Sequence, residues 1–248
     1  MNFQDKIILV TGGTSGIDKE IVRQLLMQGA VVISNYGQNE ELMKQTKTEL
    51  SEYKDKLVFM KADVSNEEEV IKMFDQIKLR FHKLDCLVNN AGTNIDSYIE
   101  NFNLEDWNKV INVNLTGKFL CTKYAIPLLK SNESSSIVNI ASRLATKPCA
   151  EASAYCVAEA GIVQFTKCSA IELVNYKIRV NCVSPGLTIT PMSLKGWTKE
   201  EMEETKQKNP MKRLGQTTDM ANAVLFLLSD EASYITGENI NVSGGALL

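Results

Sequence analysis

The sequence predicts an α/β fold in which a doubly wound parallel sheet carries helices on both faces. Three observations support this. Short, continuous apolar runs rich in β-branched residues recur along the chain, amphipathic helical patterns separate them, and a glycine-rich turn follows the first run directly. Continuous apolar strands, unlike alternating ones, belong to sheets buried on both faces. Right-handed crossovers through the intervening helices then wind the sheet in both directions.

The elements follow in order. The run KIILVT (6–11) leads through the turn into a helical stretch, 16–28, with Ile17, Ile21, Leu25 and Met27 at helical spacing. AVVIS (30–34) and KLVFMKA (56–62) read as the next strands, and Val70, Met73, Phe74 and Ile77 mark a helix over 66–81. LDCLVN (84–89), SIVNIAS (136–142), IRVNCVS (178–184) and NINV (239–242) complete seven strand-like runs. Longer helical patterns cover 104–130 and 153–176, and another covers 217–229. No repeat and no Pro- or Ser-rich linker divides the chain, so 1–248 reads as one domain. The long irregular segment 187–212, with a short helix expected around 199–208, follows the C-terminal end of a strand, where α/β proteins place a substrate lid. Met192, Leu194 and Trp197 suggest a partly apolar pocket there.

Bulk properties narrow the function classes. A net charge of −3 offers no electrostatic case for nucleic acid or an anionic membrane. The six cysteines form no C-x-x-C pair and the chain has one histidine, which argues against a zinc site. The cysteines read as reduced core thiols of a cytoplasmic protein, and MNFQDKIILVTGG reads as neither a signal peptide nor a membrane span.

Gly12, Gly13 and Gly16 lie between the first strand and the first helix. Glycines here allow a tight turn and close approach of backbone to a diphosphate, while the helix N-terminus offers free N–H groups and a positive dipole. Asp18 in the first helical turn is anomalous. It complements the dipole, yet it competes with a phosphate for the same N–H groups unless it points outward.

Taken in order, TGGTSGI (11–17), DV (63–64), NNAG (89–92), NVNLTG (112–117), Ser142 thirteen residues before Tyr155, SPG (184–186) and YITGENINVSGG (234–245) resemble the short-chain dehydrogenase/reductase family over essentially the whole length. The likeness is to the β-ketoacyl-carrier-protein reductase and sugar- or steroid-alcohol dehydrogenase type. It implies a single-domain Rossmann fold with a seven-stranded parallel sheet, binding NAD(H) or NADP(H). By that resemblance Gly12, Ser15, Gly16 and Ile17 line the diphosphate and ribose, and Asp63 and Val64 flank adenine. Asn90, Ala91 and Gly92 form the central sheet edge, while Pro185, Gly186, Thr188 and Thr190 meet the nicotinamide end. Asn114, Ser142 and Tyr155 match three of the four catalytic positions, with Ser142 expected on the substrate carbonyl and Asn114 holding a water. The plainer alternatives are Asn114 satisfying a helix kink, Ser142 ending a strand, and Tyr155 as a core aromatic.

Two positions depart from the pattern. The third glycine is Asp18, and the catalytic lysine four residues after the tyrosine is Glu159. In that family the lysine binds the nicotinamide ribose and lowers the tyrosine pKa, ordinarily near 10. A unit charge about 6 Å from the phenol, at an effective dielectric of 20, interacts by roughly 3 kcal/mol. Reversing its sign therefore moves the phenol by up to roughly four pKa units. Weakened nucleotide binding and impaired or redirected chemistry are expected, with alcohol oxidation suffering more than ketone reduction.

Asn35 ends the second strand, where an acid would hydrogen-bond the adenosine ribose and repel a 2′-phosphate. NADP(H) is accordingly expected over NAD(H). The family likeness also implies a homotetramer and a small carbonyl or alcohol substrate. Two other readings stand beside the reductase: a non-catalytic binding subunit, and an isomerase or dehydratase using Tyr155 and Glu159 as an acid–base pair.

Overall fold

The computed structural model describes residues 1–191, 193 and 197–248. Its strands are β1 (Ile7–Val10), β2 (Val31–Tyr36), β3 (Leu57–Lys61), β4 (Cys86–Asn89), β5 (Ser135–Ile140), β6 (Ile178–Pro185) and β7 (Asn239–Val242). They form one seven-stranded sheet in the order β3-β2-β1-β4-β5-β6-β7, with every pairing parallel. Each strand falls on one of the seven apolar runs. The helices are α1 (Gly16–Met27), α2 (Glu40–Glu49), α3 (Glu67–Phe81), α4 (Leu104–Ile111), α5 (Gly117–Leu129), α6 (Ser153–Leu173), α7 (Lys199–Lys208) and α8 (Thr217–Leu228).

The alternation of side chains along a strand explains the two layers of helices. From β1, Ile8 and Val10 join Ile21 and Leu25 of α1 and Val224 and Leu225 of α8 on one face. Ile7 and Leu9 point the other way, onto Met73 and Ile77 of α3 and Leu120 and Leu129 of α5. Both faces of β1 are dry, hence its unbroken apolar sequence. Leu9 is fully buried, so Leu9→Ala is expected to lower unfolding free energy by about 3 kcal/mol, read from urea denaturation.

Four local features differ from the sequence reading. Helix α2 lies in a stretch that showed no apolar periodicity: Thr46 is its one buried residue, and its start is held by the Asn39 side chain accepting the Leu42 N–H at 3.0 Å. Met27, placed on the apolar stripe of α1, is 59% exposed at the helix end. The pattern over 153–176 is α6 to Leu173 followed by a separate tight turn at Val174–Tyr176. The pattern over 104–130 is broken by a wide π-helical turn, Asn112–Thr116, between α4 and α5. Such a turn inserts a residue into the helical repeat and re-aims side chains; here it carries the buried Asn114.

The expected short helix at 199–208 is α7, started by a reciprocal capping pair between Thr198 and Glu201. Met192 and Leu194 of the expected pocket lie outside the described residues, and Trp197 is 37% exposed. All six cysteines are free thiols, with Cys86, Cys121 and Cys182 buried. The sheet reverses its winding between β1 and β4, whose neighbours β2 and β5 lie outward on opposite sides. The crevice beyond the C-terminal ends of these strands is the ligand position in open α/β sheets.

Candidate active site

The turn after β1 forms the floor of that crevice. Gly12 (φ +80°) and Gly16 (φ +56°) adopt left-handed conformations, and neither has room for a side chain. A Cβ on Gly12 would stand 3.1 Å from the Ala91 Cα, and one on Gly16 would stand 3.3 Å from the Thr190 Cγ2. Glycine is therefore required here both for backbone freedom and for close approach. Ser15 precedes α1 in extended conformation with no side-chain cap, and Ile17 packs on the core below.

Asp18 turns inward. It is 6% exposed, with Oδ2 placed 3.2 Å from the position of a Gly12 Cβ and Oδ1 3.8 Å from that of a Gly16 Cβ. The carboxyl group thus lies in the hollow between the two glycines. Burial pushes its pKa up to about 8, against the lowering effect of the backbone N–H groups of Asp18, Ser15, Thr14 and Lys19. At neutral pH the group is mostly protonated, so it opposes a phosphate chiefly by occupying the cradle and its donors.

The sheet edge beside the turn is tied by Thr11, a residue the sequence reading left without a role. Its hydroxyl oxygen accepts the N–H groups of Asn90 (3.0 Å) and Ala91 (3.1 Å), which locks the NNAG segment over the end of β1. Its place directly before the glycines was the available signal. Gly92 packs against Asn114, with 3.6 Å from its Cβ position to Nδ2. Asp63 accepts from the Ser65 N–H and hydroxyl at 2.9 and 2.6 Å, and Val64 is buried against Gly117. Asn35 differs from its expected part as a ribose-facing residue. It is buried, and its amide nitrogen donates to the Ala62 and Met60 carbonyls at 2.9 and 3.3 Å, so the sheet consumes that donor.

At the other wall, Pro185 ends β6 and Gly186 lies so close to Ser243 that a Cβ would stand 2.7 Å from its Cα. Thr188 donates to the Gly186 carbonyl at 3.0 Å. Thr190 packs on Gly16, which brings the start of the 187–212 segment against the glycine turn. Ser193 holds this corner by bonding Thr188 and Thr190.

Asn114, Ser142, Tyr155 and Glu159 converge between β5, α6 and the π-helical turn. The Asn114 Oδ1 accepts the Thr93 N–H at 2.8 Å, and its Nδ2 donates to the Glu159 Oε1 at 2.9 Å. Ser142 lies just past the end of β5, at the start of a tight turn, and accepts the Leu144 N–H at 3.2 Å. It also hydrogen-bonds Tyr155 and so favours the phenolate. Even so the Tyr155 hydroxyl lies far above its ordinary pKa, first because it is desolvated and second because Glu159 is near. The charge expected from the sequence to set this shift is the smaller cause, and burial is the larger one. Glu159 is 2% exposed, and desolvation lifts its pKa to about 7 against the pull of Lys118 and Asn114. Lys118, also absent from the sequence reading, is 3% exposed and donates to the Ala91 carbonyl at 2.8 Å.

Comparison with known proteins places the chain. A family profile described as enoyl-(acyl carrier protein) reductase matches residues 12–246. The chain belongs to the short-chain dehydrogenase/reductase family. It is 35% identical over 240 residues to the 3-oxoacyl-acyl-carrier-protein reductase FabG of Staphylococcus aureus, covering 97% of each chain. It is 37% identical over 253 residues to BbsD of Thauera aromatica, a subunit of a hydroxy(phenyl)methylsuccinyl-CoA dehydrogenase, covering 100% of this chain and 99% of that one. Among solved structures, the ligand-free aldohexose dehydrogenase of Thermoplasma acidophilum superposes with a TM-score of 0.88 at 30% identity, covering 98% and 94% of the two chains. Family membership makes the chain an oxidoreductase of the kind that uses a nicotinamide cofactor. A dinucleotide suits the glycine cradle on one condition: the Asp18 carboxyl must yield its place. Among the described residues no helix is long and apolar enough to cross a membrane.

Proposed function

We propose that this protein reduces the carbonyl group of a small ketone substrate with a nicotinamide dinucleotide, which it binds weakly. The observation that carries the reading is the meeting of Ser142, Tyr155 and Asn114 at α6, with Asn114 packed on Gly92 of the sheet edge beside the glycine turn. The cofactor, when bound, supplies the hydride. Gly12, Ser15, Gly16 and Ile17 would hold its diphosphate side, Asp63 and Val64 its adenine, and Asn90, Ala91 and Gly92 its middle. Pro185, Gly186, Thr188 and Thr190 would meet its nicotinamide end, and residues 187–212 would cover the substrate.

Ser142 directs its hydroxyl at the substrate oxygen, and the neutral Tyr155 phenol donates the proton. A phenol held far above its ordinary pKa is a weaker acid but is always protonated and so present as a donor. The phenolate that oxidation needs as a base is almost absent, so oxidation suffers more than reduction. The absence of a carboxylate at Asn35 supports NADP(H), since nothing there repels a 2′-phosphate. Likeness to the acyl-carrier-protein and acyl-CoA enzymes supports a β-keto thioester as substrate, in a homotetrameric cytoplasmic protein of a single domain.

The test is NADPH-dependent reduction of acetoacetyl-CoA, followed by absorbance with millimolar nucleotide. Tyr155→Phe is expected to lower kcat by at least about 100-fold with little change in KM, as for loss of a general acid. Equal rates in the two directions near neutral pH, or an unaffected Tyr155→Phe variant, would exclude the proposal. One observation favours a second reading. Glu159 titrates near 7, the range of an efficient general base, and isomerisation of a substrate without added nucleotide would establish it.

A further inference from the structure

Lys118 is the one buried lysine among the described residues, and the proposed chemistry leaves it without a task. It follows Asn114 by four residues, so the end of the π-helical turn and the first turn of α5 direct both side chains towards α6. Its ammonium is anchored on the Ala91 carbonyl at 2.8 Å. Asn114, fastened to the Thr93 N–H, holds Glu159 by the carboxylate at 2.9 Å. The ammonium and the carboxylate form no ion pair; both are buried and they interact through space. An isolated charge of either sign would be expensive here, and two opposite charges relieve each other.

We propose that Lys118 is a positioning residue whose ammonium, supplied from the neighbouring helix, balances Glu159 and keeps its carboxylate ionisable and aimed into the cleft. The pair is a transposed form of the site that the family motif builds with one lysine at 159. The positive charge has moved to α5, and an acceptor stands where a donor would be. The cleft stays close to neutral, with its polarity reversed.

The charged and titratable neighbours can be named on every side. Tyr155 lies on the same helix as Glu159, Lys118 comes from α5 and Cys182 from β6, with Asn114 as the polar contact. Cys182 is held up to about 12 by burial and nearby Glu159, so it stays neutral through the range in which Glu159 titrates. Lys118 is the one cation in that set.

This inference rests on the proposed function only for its catalytic consequence, and its test uses the protein without nucleotide. Glu159 titration is followed by difference infrared spectroscopy of the carboxyl stretch, assigned with Glu159→Gln. Lys118→Met is expected to raise the midpoint by at least about one pH unit, whereas Lys118→Arg leaves it nearly unchanged. A purely structural lysine would not move that midpoint, so an unchanged value in Lys118→Met overturns the proposal.

Melting temperature supplies the second measurement. Glu159→Lys alone places two ammonium groups in one compartment and is expected to destabilise strongly, as is Lys118→Met alone. The combined Lys118→Met, Glu159→Lys protein should recover most of both losses. Simple addition of the two losses would show that the charges are not paired. Because neither measurement involves nucleotide, failure of the reductase assignment would leave this result standing, and the reverse holds equally.

Discussion

Asp18→Gly is expected to tighten NADPH binding by roughly 10- to 150-fold. The buried carboxyl lies in the hollow between Gly12 and Gly16 with four backbone N–H groups acting on it. A diphosphate needs the same donors, and hydrogen bonds to a charged group contribute about 1.5–3 kcal/mol. Removing the competitor releases free energy of that order, which gives the stated factor. Calorimetric titration at two pH values adds a signature that a general loosening of the turn would lack. A bound phosphate favours the protonated form of its acidic neighbour. Affinity in the unaltered protein should therefore decline as pH rises through about 8, the pKa of Asp18, and the glycine variant should lose that decline. Equal affinities for the two proteins would mean that the carboxyl moves aside without penalty.

Conformational stability should fall as pH rises from 5 to 8.5. Asp18 and Glu159 are acids with pKa values raised on folding, from 3.8 to about 8 and from 4.5 to about 7. Between the unfolded and folded values the native state holds protons that the unfolded chain has released. Stability therefore decreases with pH across that window and levels off above it. Below the unfolded values both states are protonated and the penalty vanishes. At about 1.4 kcal/mol per pKa unit, the two shifts set a ceiling several kcal/mol high, and a net loss of about 4 kcal/mol is expected after local relaxation. The exposed ion-paired acids, such as Glu40 and Asp219, are shifted down instead, so their contributions are lost at lower pH, outside the window. Urea unfolding at pH 5, 7 and 8.5 measures the slope. The double change Asp18→Asn, Glu159→Gln should flatten it, and a curve rising with pH would contradict the burial of both groups.

The two acids also show where reading along the chain stops. Ile7 to Val10 declare a strand because each of four successive side chains is apolar, and a double-sided core explains that pattern without knowing its neighbours. The glycine turn is legible for the same local reason, since a left-handed backbone at Gly12 and Gly16 demands glycine. Helix α2 was invisible because it buries only Thr46, so nothing periodic marks it. The π-helical turn at Asn112–Thr116 was invisible because one inserted residue hardly alters the composition of a 104–130 helical pattern. Asn35 was located at the end of β2, yet its amide is turned to carbonyls of the β3 segment, an orientation the strand sequence does not contain.

From sequence alone come the fold and the seven strands, because hydrophobic period and turn chemistry act over a few residues. The resemblance of the chain's motifs to a known family marks the nucleotide-type crevice and the two anomalous acids. Only the tertiary structure decides that Asp18 folds into the cradle and that burial outweighs charge in setting Tyr155. It alone brings Lys118 into the compartment of Glu159. Those outcomes depend on desolvation and on through-space distances between helices far apart in the chain, and neither quantity exists until the sheet has closed over them.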